Sequence, residues 1–235
     1  MKKRISNDDK NKISEIVKKR VHFNLAVLYL ANNKFMLAKA SLDTVKNSSL
    51  AYEKRQELAE LYESLGDSLR DAEHTMHRLE AYQSAADCYS KLKSWHAYCK
   101  IQLTVANLYF ENKRSYEAMQ TIEKTETACF YLKEKSKSDT NNQLAEIYCD
   151  LSTMYAKDTF NVSNVYHAKQ LLNKALDLVD NSENLTLIVI YLNLSAVNNR
   201  IALYDQSLEA INKAYDLIGD GKILIFLFTF SFKIE

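Results

Sequence analysis

The sequence predicts an all-α protein, a superhelical array of about five antiparallel helix-turn-helix hairpins. Proline is absent and only three glycines occur, at Gly66, Gly219 and Gly221, so the usual chemistry of sheet corners and tight turns is missing. Apolar residues recur at steps of three and four, the helical period. The chain is also self-similar: a large-small pair followed three residues on by an apolar residue appears at Leu25-Ala26…Tyr29, Leu65-Gly66…Leu69, Val105-Ala106…Tyr109 and Leu151-Ser152…Tyr155, with Leu194-Ser195 as a fifth copy. The small residues stand 40, 40, 46 and 43 positions apart.

Each copy carries a second small residue with a large one four positions on. Two helices joined by a short turn approach closely only where neither carries bulk, and large side chains a turn away fill the space beside the crossing. The first hairpin is expected at 11–32 and 34–47, with Phe35 after the turn and Ala38, Leu42 and Val45 on the second helix. The second, at 52–71 and 79–93, sets Gly66 against Ala85, Tyr89 and Leu92, and its stretch LRDAEHTMHRLEAY holds an extra turn or a lengthened loop. The third, at 95–112 and 115–135, begins on Trp95 as a packing anchor and carries Ala118, Ile122 and Thr125. A polar connector, KEKSKSDTNN at 133–142, is placed to let the last two hairpins pivot on the first three. Those two are expected at 142–157 with 163–180 (Ala168, Leu172, Ala175) and at 184–202 with 204–218 (Ser207, Ile211, Ala214). The resulting organisation is a polar extension at 1–10, the array at 11–218, and an atypical apolar tail at 219–235.

Composition narrows the function. With 31 basic and 30 acidic residues there is no bulk attraction to nucleic acid or to an anionic membrane. MKKRISNDDKNK is basic but no apolar run follows it, so neither a signal peptide nor a span is expected, and the setting is cytoplasmic or nuclear. Cys88, Cys99, Cys129 and Cys149 match no zinc or redox spacing and read as small core residues. The sequons at Asn47, Asn161, Asn184 and Asn193 carry no weight in a chain without a secretory signal.

No catalytic constellation is visible, and no cofactor or small-molecule substrate is expected. GDGK at 219–222 fails as a phosphate loop, because Asp216 stands where the first glycine belongs and Ile223 where Ser or Thr belongs. His74 and His77, one turn apart with Asp71 before them, are the best metal-ligand pattern, but no second half of a site accompanies them. They support the alternative of a metal-dependent accessory protein; the primary reading has neither metal nor catalysis.

The repeat pattern resembles the tetratricopeptide repeat (TPR) family in its long-helix form, over about residues 11–218, with the first and third copies the closest. The resemblance implies that Ala26 and Ala38 face each other, and that a concave surface lined by the first helix of each pair holds a peptide or a partner helix. Offsets from the small residues then select Asn24, Glu60, Glu63, Asp67, Lys100, Asn107, Glu146 and Asn193 as groove residues, with Asp150 near Glu146. Glu60, Glu63 and Asp67 occupy part of the place where the family's carboxylate clamp needs cations, so a basic segment is the expected ligand rather than an acidic chaperone tail. QLAEIYCDLSTMYAK (143–157), HAKQLLNKALDLVD (167–180) and VIYLNLSAVNNR (189–200) are similar to the N-terminal repeats of Tonsoku-like proteins, which implies a nuclear genome-maintenance scaffold reading a histone-like tail. Kinesin light chains and spindle-orientation adaptors resemble the same pattern and imply a cytoplasmic adaptor instead.

The tail GDGKILIFLFTFSFKIE breaks the periodicity. Ile223 to Phe232 is too short to span a bilayer and has no helical face. Gly-Lys is what translation across a splice donor yields, so the array is expected to break off near residue 221.

Overall fold

The computed structural model describes residues 7–70, 72–133, 138–157, 161–180 and 184–218. Eleven α-helices and no strand occur among them. The chain divides into two compact units, one running to Leu108 and the other starting at Tyr109. The division falls inside a helix rather than at the polar connector.

The first unit holds α1 (Asn7–Ala31), α2 (Phe35–Val45), the short α3 (Ser49–Glu53), α4 (Arg55–Ser68), α5 (Thr75–Lys91) and most of α6 (Trp95–Glu111). α1 packs on α2, α2 on α4, and α4 on α5. The second unit contains α7 (Ser115–Lys133), α8 (Ser138–Lys157), α9 (Val162–Leu176), α10 (Asn184–Arg200) and α11 (Tyr204–Ile218). There α7 packs on α8, α8 on α9, α9 on α10 and α10 on α11, while α8 also touches α10.

Two expectations need correction. The helix placed at 52–71 is broken at Lys54, whose backbone (φ −108, ψ 30) separates α3, capped by the Ser48 side chain, from α4. The connector at 133–142 is shorter than read, because α8 already begins at Ser138. The lengthened segment in the second hairpin resolves into a 3₁₀ turn at Ala72–His74 leading into α5. The tail expectation falls on 219–235, outside the described residues, as do positions 1–6 of the polar extension.

The small residues lie in the core. Ala26, Ala38, Ala85, Ala106, Ala118 and Ala168 are fully buried, as are their large neighbours Leu42, Ile122 and Leu172. In the last hairpin the meeting is direct: Ser195 Oγ and Ser207 Oγ lie 2.9 Å apart, and Ser207 Oγ donates to the Ser195 carbonyl at 2.9 Å. In the second hairpin the partner differs. A Cβ built on Gly66 would lie 2.6 Å from the Tyr82 ring, so Tyr82, rather than Ala85, fills the space that the glycine leaves open. All four cysteines are buried, in agreement with their reading as core residues.

Four turns share one geometry that composition conceals. Asn33, Lys93, Lys113 and Ala202 adopt φ of 56 to 58, the left-handed conformation usually given to glycine. Each begins a Schellman closure. The following amides, of Lys34, Ser94, Arg114 and Leu203, donate to the carbonyls of Tyr29, Tyr89, Tyr109 and Asn198 at 2.8–3.0 Å. An L-residue pays about 1–2 kcal/mol to sit there, and alanine lacks the local side-chain hydrogen bonding that helps asparagine. Ala202→Gly is therefore expected to raise stability by about 1 kcal/mol, read as a higher urea midpoint at unchanged slope.

Candidate partner-binding faces

In the first unit, α4 carries Glu60, Glu63 and Asp67 three and four residues apart, on one helix face. Glu60 is exposed and accepts from Gln56 Nε2 at 2.8 Å. Glu63 is half-buried and accepts the Tyr89 hydroxyl at 2.7 Å; exposed Asp67 accepts that of Tyr82 at 2.6 Å. Both tyrosines come from α5, so the hairpin packing that buries them also fixes the carboxylates. Among the described residues, no lysine or arginine pairs with these three acids. Each hydroxyl occupies one carboxylate oxygen, leaving the second as an acceptor.

These bonds recur. Tyr62 on α4 reaches Asp43 Oδ1 of α2 at 3.3 Å, and in the second unit Tyr155 donates to Glu126 at 2.8 Å. Burial, followed by the carboxylate bond, pushes the Tyr82 hydroxyl up to about 12. Burial also drives Tyr62, Tyr89 and Tyr155 well above the ordinary phenol value of 10.0. A pKa raised on folding contributes stability that is fully present below the unfolded pKa and is lost as pH climbs through the folded one. Stability is therefore expected to decline from about pH 10 upward as unfolded-state phenols ionise. Absorbance at 295 nm should show these tyrosines titrating late, together with the loss of helical circular dichroism.

The remaining candidates lie as follows. Asn24 and Lys100 are exposed, Asn107 is half-buried, and Glu146 is exposed on α8. Asn193 is half-buried and donates to Cys149 Sγ at 3.0 Å, tying α10 to α8. The sequence reading overlooked the cluster on Glu126, whose Oε2 accepts from Tyr155 and lies 2.9 Å from His167 Nε2. Its members stand 29 and 41 positions apart, beyond any local motif. The His167 ring meets the Tyr155 ring edge-on at 4.6 Å, so this arrangement locks α7, α8 and α9 together. Glu126 also borders a cavity of about 240 Å³ with Tyr148 and Leu144 in its wall.

His74 and His77 have ring centroids 6.3 Å apart, and His77 Nδ1 lies 3.4 Å from Glu80 Oε2; Asp71 lies outside the described residues. Among the described residues no group of three or more His, Cys, Asp and Glu side chains gathers as a metal site would. Nor is any described helix long and apolar enough to cross a membrane.

No family model and no curated protein matches the sequence. Solved structures do match its backbone. BtubC (BKLC) from P. vanneervenii superposes with a TM-score of 0.57 at 13% identity, covering 91% of each chain. The chain has a TPR-like repeat fold. A structure of nearly identical TPR-like repeats of a kinesin light chain from Podosopora anserina matches at a TM-score of 0.49 and 14% identity, over 84% of this chain and 93% of that one. In TPR-like terms α1, α4, α6, α8 and α10 are the first helices of the hairpins, and every candidate residue lies on one of them.

Proposed function

We propose that the chain is a non-catalytic protein-binding scaffold whose first unit takes a basic peptide segment on the acidic face of α4. The observation that carries this is the row Glu60, Glu63 and Asp67, free of lysine and arginine partners among the described residues and with two members held in place by tyrosine hydroxyls. Anchored carboxylates lose less freedom on meeting a cation than mobile ones. Guanidinium and ammonium groups are the natural complement to their remaining lone pairs. A histone-like tail has this chemistry and is the class of ligand favoured.

Fluorescence anisotropy with a labelled Lys/Arg-rich peptide tests the reading. Saturable binding is expected that weakens with salt, and Glu60→Lys, Glu63→Lys and Asp67→Lys together should reduce affinity by about tenfold or more. Undiminished binding by the triple variant, with its helical signal intact, would remove the α4 face from the function. Equal affinity for an acidic peptide of the same length would remove the charge preference.

A further inference from the structure

The five hairpins use one register, which lets each position be compared with its counterparts. The large residue four positions after the second small residue is Leu42 in the first hairpin and Leu172 in the fourth, both 0% exposed, but Ile211 in the last is 46% exposed. Around it Tyr204, Leu208 and Tyr215 are also exposed, making an apolar stripe along α11 at helical spacing. The first hairpin shows the converse. Five positions before the small residue, Ile147 and Ile190 are 0% exposed while Val21 is 50% exposed. Two positions after it, Val197 is 3% exposed while Leu28 is 57% exposed.

Inside the second unit α9 packs on α10, and Leu172 of the one and Ile190 and Val197 of the other are all buried. The stripe on α11 is thus the counterpart of the face that α9 gives to α10, and the stripe on α1 is the counterpart of the α10 face that receives it. Charge distinguishes among the possible pairings. The α1 sequence carries five lysines and arginines against three carboxylates, and α11 carries three carboxylates against one lysine. Two α11 faces, or two α1 faces, would bring like charges together; α11 against α1 brings opposites.

We infer that the occupant of the α11 stripe is α1 of a second copy of this chain, docked head to tail as α10 docks on α9. Such a contact is heterologous, because each copy offers a different face. In sedimentation velocity, the weight-average mass should climb from 27.1 kDa toward multiples of it between about 1 and 100 µM. Leu208→Glu with Ile211→Glu should make the chain monomeric, and so should Val21→Glu with Leu28→Glu. These positions are exposed, so circular dichroism should be unchanged. Each variant keeps the face that the other lacks, so an equimolar mixture should regain a one-to-one pair of doubled mass. A chain that stays monomeric throughout the range overturns the inference. So does a double variant that self-associates alone as the unmodified chain does, which would mean like faces pair. A monomer whose α11 stripe is shielded from chemical labelling would assign that stripe to the chain's own 223–232 segment instead.

Discussion

Leu172→Ala is expected to cost about 2–5 kcal/mol of unfolding free energy in the second unit. Leu172 is completely buried on α9, a helix packed against both α8 and α10, so the close-packed surroundings relax only partly into the vacated volume. The same truncation at Ile211, in the same repeat position but half-exposed, should cost no more than about 1 kcal/mol when measured on dilute protein. Urea denaturation of the two variants side by side checks the pair of values. Equal losses would mean that repeat position, rather than the neighbour it meets, sets the energetic cost.

Ala38→Leu should be comparably damaging for the opposite reason. Ala38 is fully buried on α2, which packs against α1 across a three-residue turn, so an isobutyl group has to push the helices apart or leave its preferred rotamers. About 3 kcal/mol is expected. Ala40→Leu, two positions on and exposed, adds the same atoms to the same helix and should change stability by no more than about 0.5 kcal/mol. Thermal or urea unfolding of both variants isolates the effect of packing from that of helix propensity, which barely differs between alanine and leucine.

Much of this architecture was legible because it rests on periodicity. Helix pairs came from the spacing of small and large residues, and the observed bounds of α6, α10 and α11 lie within two residues of the expected ones. The break at Lys54 left no trace in the pattern, because apolar spacing runs on across it while the backbone leaves helical values at that one residue. The left-handed turns were hidden for a related reason. Lysine and alanine stand at three of them, and the Schellman bonds that close them run from backbone to backbone, so no side chain marks the turn.

The candidate face was half legible. Helical spacing placed Glu60, Glu63 and Asp67 together, but the tyrosines that fix two of them lie 26 and 15 positions away on another helix. At that separation the partner is set by how α4 and α5 pack, which no local pattern encodes. The exposure of Ile211 was equally invisible, since its sequence position matches that of buried Leu42 and Leu172 and only the absence of a neighbour among the described residues distinguishes it.

Pairs of small residues mark the points where paired helices approach most closely. A double-mutant cycle on Ala26→Leu and Ala38→Leu, read by urea unfolding, tests this directly. If the two alanines share one crossing, the space forced open by the first leucine receives the second, and the double variant should lose less than the sum of the singles by at least about 0.5 kcal/mol. Losses that add to within about 0.3 kcal/mol would place the two residues at separate contacts and contradict the account.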